Sequence, residues 1–504
     1  MTATAGDRHD RTRASPVVRA TRAFTLIAVV CAVFADFEVQ ALHPWLELGR
    51  LGLGFVTPDF LATEDLFGAV LRTMAMAFLA VVVAAPLGFL LCLVYPRSQA
   101  VRVACAFLRS IHELFWALIL IQLFGLSATS GVLAIVIPFT CIFAKVFSEI
   151  LEEGDRRPAE AIPGRPGFVS RFLYGELPDL SGQIVTYTLY RVECALRSSA
   201  VMGFVGLPTL GFHLESAFRQ GHYSEAGAIL LLVYAAIATV RLWFRPILFP
   251  FFLAVALWVL PFGADVSVAN IVRFLTVDIV PAPLRNDQGL AAFADWLWML
   301  ASTQAGPGLL NTIILTQMSL VAAGAVTLLA FPLASRRFAG PRGRIAGHVF
   351  LVVVRSTPEY IIAYMVLLIC GPSMLPAFVA LSLHNGAIIG HLIARLTDTL
   401  PLRDDAPKGA DLWAFEAVPR VYGQFLAFLF YRWEIIFRET AILGILGVHT
   451  LGFFVDSAIS ELRFDRAIAL IAVTGLAGMT INWISTTVRR RLRLPVNIDD
   501  ARAR

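Results

Sequence analysis

For most of its length the chain alternates uninterrupted apolar runs of about 17 to 25 residues, the length a helix needs to cross a hydrocarbon core, with short stretches that hold nearly all of the charge. Runs near 22–40, 66–95, 103–126, 128–148, 180–206 and 226–244 predict six helices. Runs near 247–262, 306–334, 346–370 and 375–397, a stretch carrying 431–447, and a run near 466–486 predict six more. The short alternating segments that a closed barrel needs are absent. Pro86 is expected to kink the second helix. The joining stretches are rich in arginine: Arg19 and Arg22, Arg97 and Arg102, Arg241 and Arg245, Arg336, Arg337, Arg342 and Arg344, then Arg489, Arg490, Arg491 and Arg493. The positive-inside rule puts these stretches and both termini in the cytoplasm, together with the two longest polar segments, 149–179 and 398–420.

The pattern occurs twice. Tyr190-Arg191-Val192-Glu193-Cys194-Ala195-Leu196-Arg197 runs on to Gly203 and Gly206 and then to Leu210-Gly211-Phe212. Tyr431-Arg432-Trp433-Glu434-Ile435-Ile436-Phe437-Arg438 runs on to Gly444 and Gly447 and then to Leu451-Gly452-Phe453, with every matched pair 241 positions apart. A second motif, Arg109-Ser110-Ile111-His112-Glu113, matches Arg355-Ser356-Thr357-Pro358-Glu359 at 246 positions; the five-residue slip falls in the polar segment, which is shorter in the second half. Each half contributes an even number of spans, so the repeats are parallel in the membrane. The expected fold is an all-α polytopic membrane protein. It comprises a disordered cytoplasmic tail (1–20), two tandem repeats of about six transmembrane helices each (21–246 and 247–488), and a basic cytoplasmic tail (489–504).

Composition narrows the class. With 58% hydrophobic and 15% charged residues and a mean hydropathy of +0.74, the chain lies outside the range of soluble domains. Its formal charge of +5 is accounted for by membrane topology and implies no nucleic-acid partner. The six cysteines all fall in apolar runs without paired spacing, so neither a disulfide framework nor a metal site follows. The first apolar run ends without a small-residue cleavage site and reads as a retained helix.

Charged groups within or near the spans are Arg109, Glu113, Arg191, Glu193 and Arg197 in the first half and Arg355, Glu359, Arg432, Glu434, Arg438 and Glu439 in the second. An arginine at the bilayer centre costs about 2.5 kcal/mol or more, so these groups must face protein or water. One reading pairs them within each helix, as Glu193 with Arg197, Glu434 with Arg438, Arg109 with Glu113 and Arg355 with Glu359. The other has duplicated arginines line a central anion path, where the guanidinium fork suits an oxyanion. Ser110, Ser356, Ser198, Ser199 and Thr440 are candidate neutral donors beside them. Gly203, Gly206, Gly444 and Gly447 serve close helix packing or a gate, and His384-Asn385 reads as an interhelical hydrogen bond. No phosphate loop, His-Glu-x-x-His or nucleophile elbow occurs, so an intramembrane enzyme is unsupported.

The Tyr-Arg-x-Glu-x-x-x-Arg core with its Gly-x-x-Gly, preceded by Leu177-Pro178 and Val418-Pro419, together with Arg355-Ser356-Thr357-Pro358-Glu359, resembles the permease subunits of phosphonate and phosphate ABC importers. In the first half His112 replaces the motif's proline. Such permeases carry one copy per chain, so the resemblance implies two fused copies of a type I importer permease in the inner membrane. It also implies an extracytoplasmic substrate-binding protein and two cytoplasmic ABC ATPase subunits that carry ATP and Mg, with no cofactor on this chain. The segment an ATPase grips is then Glu160-Ala161, Gly164 and Pro178 in the first half and Asp405-Ala406, Gly409 and Pro419 in the second. Pro163 and Pro166 depart from the helical form of that segment. The competing class is an ion-gradient-driven secondary transporter of an anion, with its coupling carboxylate among Glu113, Glu193, Glu359 and Glu434.

Overall fold

A computed structural model describes residues 15–40, 43–154, 157, 167–262 and 267–494, and every regular element among them is helical. Six helices are long and apolar enough to cross a bilayer, and up to nine spans result if each of three bent helix pairs counts as one. The principal helices are α1 (Pro16–Val33), α2 (Pro44–Val56), α3 (Leu66–Val94), α4 (Gln99–Ser110), α5 (Glu113–Phe124), α6 (Ala128–Glu153), α7 (Leu177–Val201), α8 (Leu210–Gln220), α9 (Tyr223–Ala238) and α10 (Phe249–Val259). They continue with α11 (Gly289–Leu300), α12 (Gly306–Ala334), α13 (Pro341–Ser356), α14 (Glu359–Cys370), α15 (Met374–Thr399), α16 (Val418–Ile442), α17 (Leu451–Ser460) and α18 (Phe464–Arg491).

Two expected spans are not single helices. The run at 103–126 divides into α4 and α5, which meet at 90°, and the run at 346–370 divides into α13 and α14, which meet at 93°. Pro358 has no N–H to donate back into a helix and forces Thr357 into an extended conformation, φ −69° and ψ 122°. His112 stands in its place in the first half. There Ile111 is extended (φ −87°, ψ 130°), and the His112 ring Nδ1 accepts the N–H of Leu114 at 3.1 Å, so a side-chain cap starts the new helix.

The N-terminal helix begins earlier than expected, at Pro16, because Ser15 Oγ accepts the N–H of Val18 at 3.3 Å. The part of the predicted tail at 16–20 is therefore helical; residues 1–14 and 495–504 lie outside the described residues. Pro86 sits inside an unbroken α3. The stretch between the first two expected spans contains α2, which packs on α9 and α14.

Packing places α3 along α6 and α12 along α15, with α7 and α16 laid against them. The helices that precede each set cross over. α1 packs on α12, its Phe24 edge-on to Phe430 at 4.9 Å and to Trp433 at 5.1 Å on α16. α10 packs on α3, Phe249 edge-on to Phe78 at 5.6 Å. The chain following each crossing helix caps the opposite set: Met374 N–H donates to Asp36 O at 2.9 Å, and Ala128 N–H, 246 positions earlier, donates to Pro261 O at 3.0 Å.

α7 and α16 both end in a 3₁₀ turn closed by a glycine at φ +89°, Gly206 and Gly447. Just beyond, Gly211 and Gly452 bring the backbone so close that an added Cβ would lie 1.7 Å from Ala200 O and 1.6 Å from Ala441 O. Gly203 and Gly444 are similarly tight, an added Cβ falling 2.1 Å from the backbone N of Phe212 and Phe453. The last helices differ: α9 stops after 16 residues, whereas α18 runs for 28 and packs along α4.

Candidate anion site at the helix breaks

The two breaks face one another. α4 ends on Arg109 and α5 starts on Glu113; α13 ends on Arg355 and α14 starts on Glu359. α7 and α16 run past them, and together these helices enclose a cavity of about 360 Å³. Its wall includes Arg109, Arg191, Arg197, Arg432 and Arg438. Facing them are the carboxylates of Glu113, Glu359, Glu434 and Glu439.

Charged side chains at the breaks reach from each half to the other. Arg438 Nη1 donates to Arg109 O at 3.1 Å, and Arg197 Nη1, at the matching position, donates to Arg355 O at 3.4 Å. Each guanidinium thus serves the free carbonyl end of a broken helix in the other half, where the helix dipole is negative. Arg109 Nη2 lies 3.4 Å from Glu434 Oε1. Asn482 of α18, with its amide turned to suit both, accepts from Arg109 Nη2 at 3.0 Å and donates to Glu434 Oε2 at 2.7 Å. None of the four i, i+4 pairs forms an ion pair among the described residues, and for Arg109 with Glu113 and Arg355 with Glu359 the right-angle bend is the reason.

Around this shared frame the two halves diverge. In the first, Ser198 Oγ donates to Glu113 Oε1 at 2.6 Å, His112 Nε2 lies 3.3 Å from Glu113 Oε2, and the Arg191 guanidinium stacks 4.0 Å over the Phe139 ring. In the second, Arg432 Nε donates to Asn385 Oδ1 at 2.7 Å, and Asn385 Nδ2 donates to Glu439 Oε2 at 2.9 Å. His384 Nδ1 meets Thr357 O at 2.9 Å, and its Nε2 lies 3.2 Å from Arg197 Nη1 and 3.7 Å from Glu359 Oε2. Glu359, His384 and Glu439 bring one ligand atom each to within 4.8 Å of one another. Sequence reading found no such cluster because its members lie on three helices with no common spacing.

Several buried donors have no hydrogen-bond partner among the described residues: Nε of Arg109, Arg191 and Arg438, and Nη2 of Arg432. Arg191 and Arg432 are each 9% exposed. Unmet buried guanidinium N–H groups are costly. Of the expected neutral donors only Ser198 faces the cavity; Ser110, Ser199 and Thr440 donate to carbonyls of their own helices. Glu193, Arg355 and Ser356 are half-buried beside the site and outside its wall.

Of the expected ATPase-coupling residues, Glu160, Ala161 and Gly164 lie outside the described residues. Pro178 and Pro419 open α7 and α16, where a missing N–H costs nothing. Asp405 lies in an exposed loop with Ala406 and Gly409, paired to Arg403 Nη2 at 2.5 Å. The hydrogen bonds and charge of Arg403 hold its carboxyl below the ordinary carboxylate range.

The chain resembles transport permeases in three organisms. It is 26% identical over 468 residues to the phosphate-import permease protein PhnE of Mycolicibacterium smegmatis, a match covering 86% of this chain and 85% of that one. It is 30% identical over 192 residues to the phosphite transport system permease protein PtxC of Stutzerimonas stutzeri, covering 36% of this chain and 70% of the relative. Over 107 residues it is 31% identical to a putative cryptic phosphonate transport system permease protein of Escherichia coli, covering 21% of this chain and 88% of the relative. No family model matches the chain, and no solved structure matches it.

Proposed function

Because the chain belongs to the family of phosphate, phosphite and phosphonate transport permeases, we propose that it is the membrane subunit of an ATP-driven importer of a phosphorus oxyanion, with both copies of the pathway in one polypeptide. The observation that carries this reading is the pair Arg191 and Arg432. They sit at matching positions, are buried, line the same cavity, and each keeps an N–H group without a hydrogen-bond partner among the described residues. A guanidinium fork offers parallel donors to two oxygens of a tetrahedral anion. The fused arrangement is supported by the relatives' extents, one matching along 86% of this chain and another along 36%. The reading puts the protein in the inner membrane with both termini in the cytoplasm. Two ABC ATPases engage the segments before α7 and α16, ATP and Mg stay on those partners, and a substrate-binding protein delivers the anion from outside. Alternating access follows when ATPase closure tilts α7 and α16 against the two helix breaks.

The test is uptake of labelled phosphate and phosphite by cells that carry the chain with its neighbouring ATPase and binding protein. Arg191→Ala or Arg432→Ala is expected to lower uptake about tenfold, the effect of losing a charged hydrogen bond, at equal membrane abundance. Unchanged uptake in both variants refutes the path. Uptake that persists without the ATPase and collapses with the proton gradient assigns the protein to the secondary transporters.

A further inference from the structure

The cavity is not symmetric in what it offers a ligand. Glu113 and Glu359 occupy matching places at the two breaks, and Ser198 and Glu439 occupy matching places on α7 and α16. In the first half the serine hydroxyl donates to the carboxylate at 2.6 Å. In the second half a carboxylate stands where the hydroxyl would be, so Glu359 and Glu439 face each other across the same gap. His384 stands behind them, outside the cavity wall. Its Nδ1 lies 2.9 Å from Thr357 O, which only accepts, so that nitrogen carries the proton and Nε2 accepts from Arg197 Nη1 at 3.2 Å.

The cavity wall therefore carries both guanidinium donors and, at the second break, a pair of carboxylate acceptors. Arg432 joins them: it is 91% buried by its 9% exposure, its Nη2 lies 3.8 Å from Glu439 Oε1, and that nitrogen has no hydrogen-bond partner among the described residues. A fully deprotonated oxyanion satisfies the donors and is repelled by the acceptors. An oxyanion that keeps one hydroxyl satisfies both.

Resting on the oxyanion-path reading, we propose that Glu359 and Glu439 accept a hydrogen bond from the ligand's own P–OH. The site then takes hydrogenphosphate, or the monoanion of phosphite or a phosphonate, and refuses sulfate. Sulfate has the same tetrahedral shape and charge as hydrogenphosphate but no proton at neutral pH. A site that hydrogen-bonds a ligand hydroxyl rejects the analogue lacking it because its buried acceptors are left unpaired. No proton is transferred; selection is by hydrogen bonding alone.

The experiment is thermal unfolding of the purified full chain in detergent at fixed pH and ionic strength, titrated with inorganic phosphate or with sulfate. A ligand that binds only the folded state raises the midpoint by an amount that grows with the logarithm of one plus the ratio of ligand concentration to Kd. Wild type is expected to respond to phosphate at a concentration about tenfold or more below that needed for sulfate. Glu439→Ser, which gives the second half the first half's residue, is expected to bring the two anions to parity, and so is the isosteric Glu359→Gln. Each variant's midpoint without anion reports its folding. Equal wild-type responses to the two anions overturn the proposal and leave the oxyanion path standing. A preference for phosphate that survives in both variants also overturns it, since the two carboxylates are then not what selects the anion. If neither anion moves the wild-type midpoint, the path reading and the proposal fall together.

Discussion

The tie between Arg109 and Glu434 joins α4 of the first half to α16 of the second, and its removal should be felt by the whole molecule. The charges are 3.4 Å apart, with the side chains 9% and 16% exposed. At an effective dielectric of about 20 their attraction is about 5 kcal/mol before desolvation is subtracted. Removing one partner of a buried pair costs about 3–5 kcal/mol, because the other is left charged and unpaired. Asn482 keeps a hydrogen bond to Arg109 at 3.0 Å when Glu434 is lost, which places Glu434→Met near the lower end, about 3 kcal/mol. Arg109→Met should cost as much, since Glu434 is then held only by Asn482. Replacing both by methionine should cost no more than about 1 kcal/mol, because an apolar pair carries no desolvation penalty. The assay is a double-mutant cycle by equilibrium denaturation of the purified protein in mixed detergent. A coupling below about 0.5 kcal/mol, with additive single costs, would refute the argument that this contact clamps the halves.

Three further outcomes are expected. Asp405→Lys sets two like charges side by side with Arg403 and should abolish co-purification of the ATPase with this half's coupling segment; unchanged co-purification removes the loop from the coupling surface. The Asp405 carboxyl is held below its ordinary range by Arg403, so its ion pair with Arg403 is complete above that ordinary range and is lost as pH falls through the depressed value. ATPase binding through this loop should accordingly be flat across neutral pH and weaken only in strong acid. Gly452→Ala puts a Cβ on Ala441 O, an overlap that requires a backbone shift costing about 1–3 kcal/mol; a wild-type denaturation midpoint would show that the turn after α16 adjusts freely.

The membrane-spanning character and most helices were legible because each depends on a contiguous apolar run. What was not legible involved direction reversal and distance. The run at 346–370 reads as one helix despite Pro358, whose missing N–H ends it, and His112 produces the same right angle in the first half through a ring nitrogen that caps Leu114, a role histidine does not announce in sequence. Helical spacing suggested that Arg109 pairs with Glu113 and Arg355 with Glu359; the bends between them send each arginine elsewhere. The real partners, Glu434 for Arg109 and the Arg355 carbonyl for Arg197, lie more than a hundred positions away and follow from the docking of one half on the other. The crossing of α1 onto α12 and α16 is invisible for the same reason, because an apolar run specifies burial but not its neighbour.

The two matched positions, Ser198 and Glu439, show what a single chain permits. In a symmetric dimer of one permease copy, a serine at this place would appear twice and a glutamate would appear twice. Two serines would give two satisfied carboxylates and an anion cavity with no free acceptor. Two glutamates would put an acidic pair at each break, with no hydroxyl to relieve either, around one cavity whose wall holds five arginines. One of each leaves a single acidic pair, at the second break, among guanidinium groups whose N–H bonds are not all taken. The asymmetry extends outward to Phe139 against Asn385, with Arg191 held by a ring face and Arg432 by an amide oxygen. An aromatic face holds a guanidinium without using up its N–H donors, whereas an amide oxygen takes one. Arg191 thus keeps its N–H donors free of side-chain acceptors, while Arg432 is fixed beside the acids.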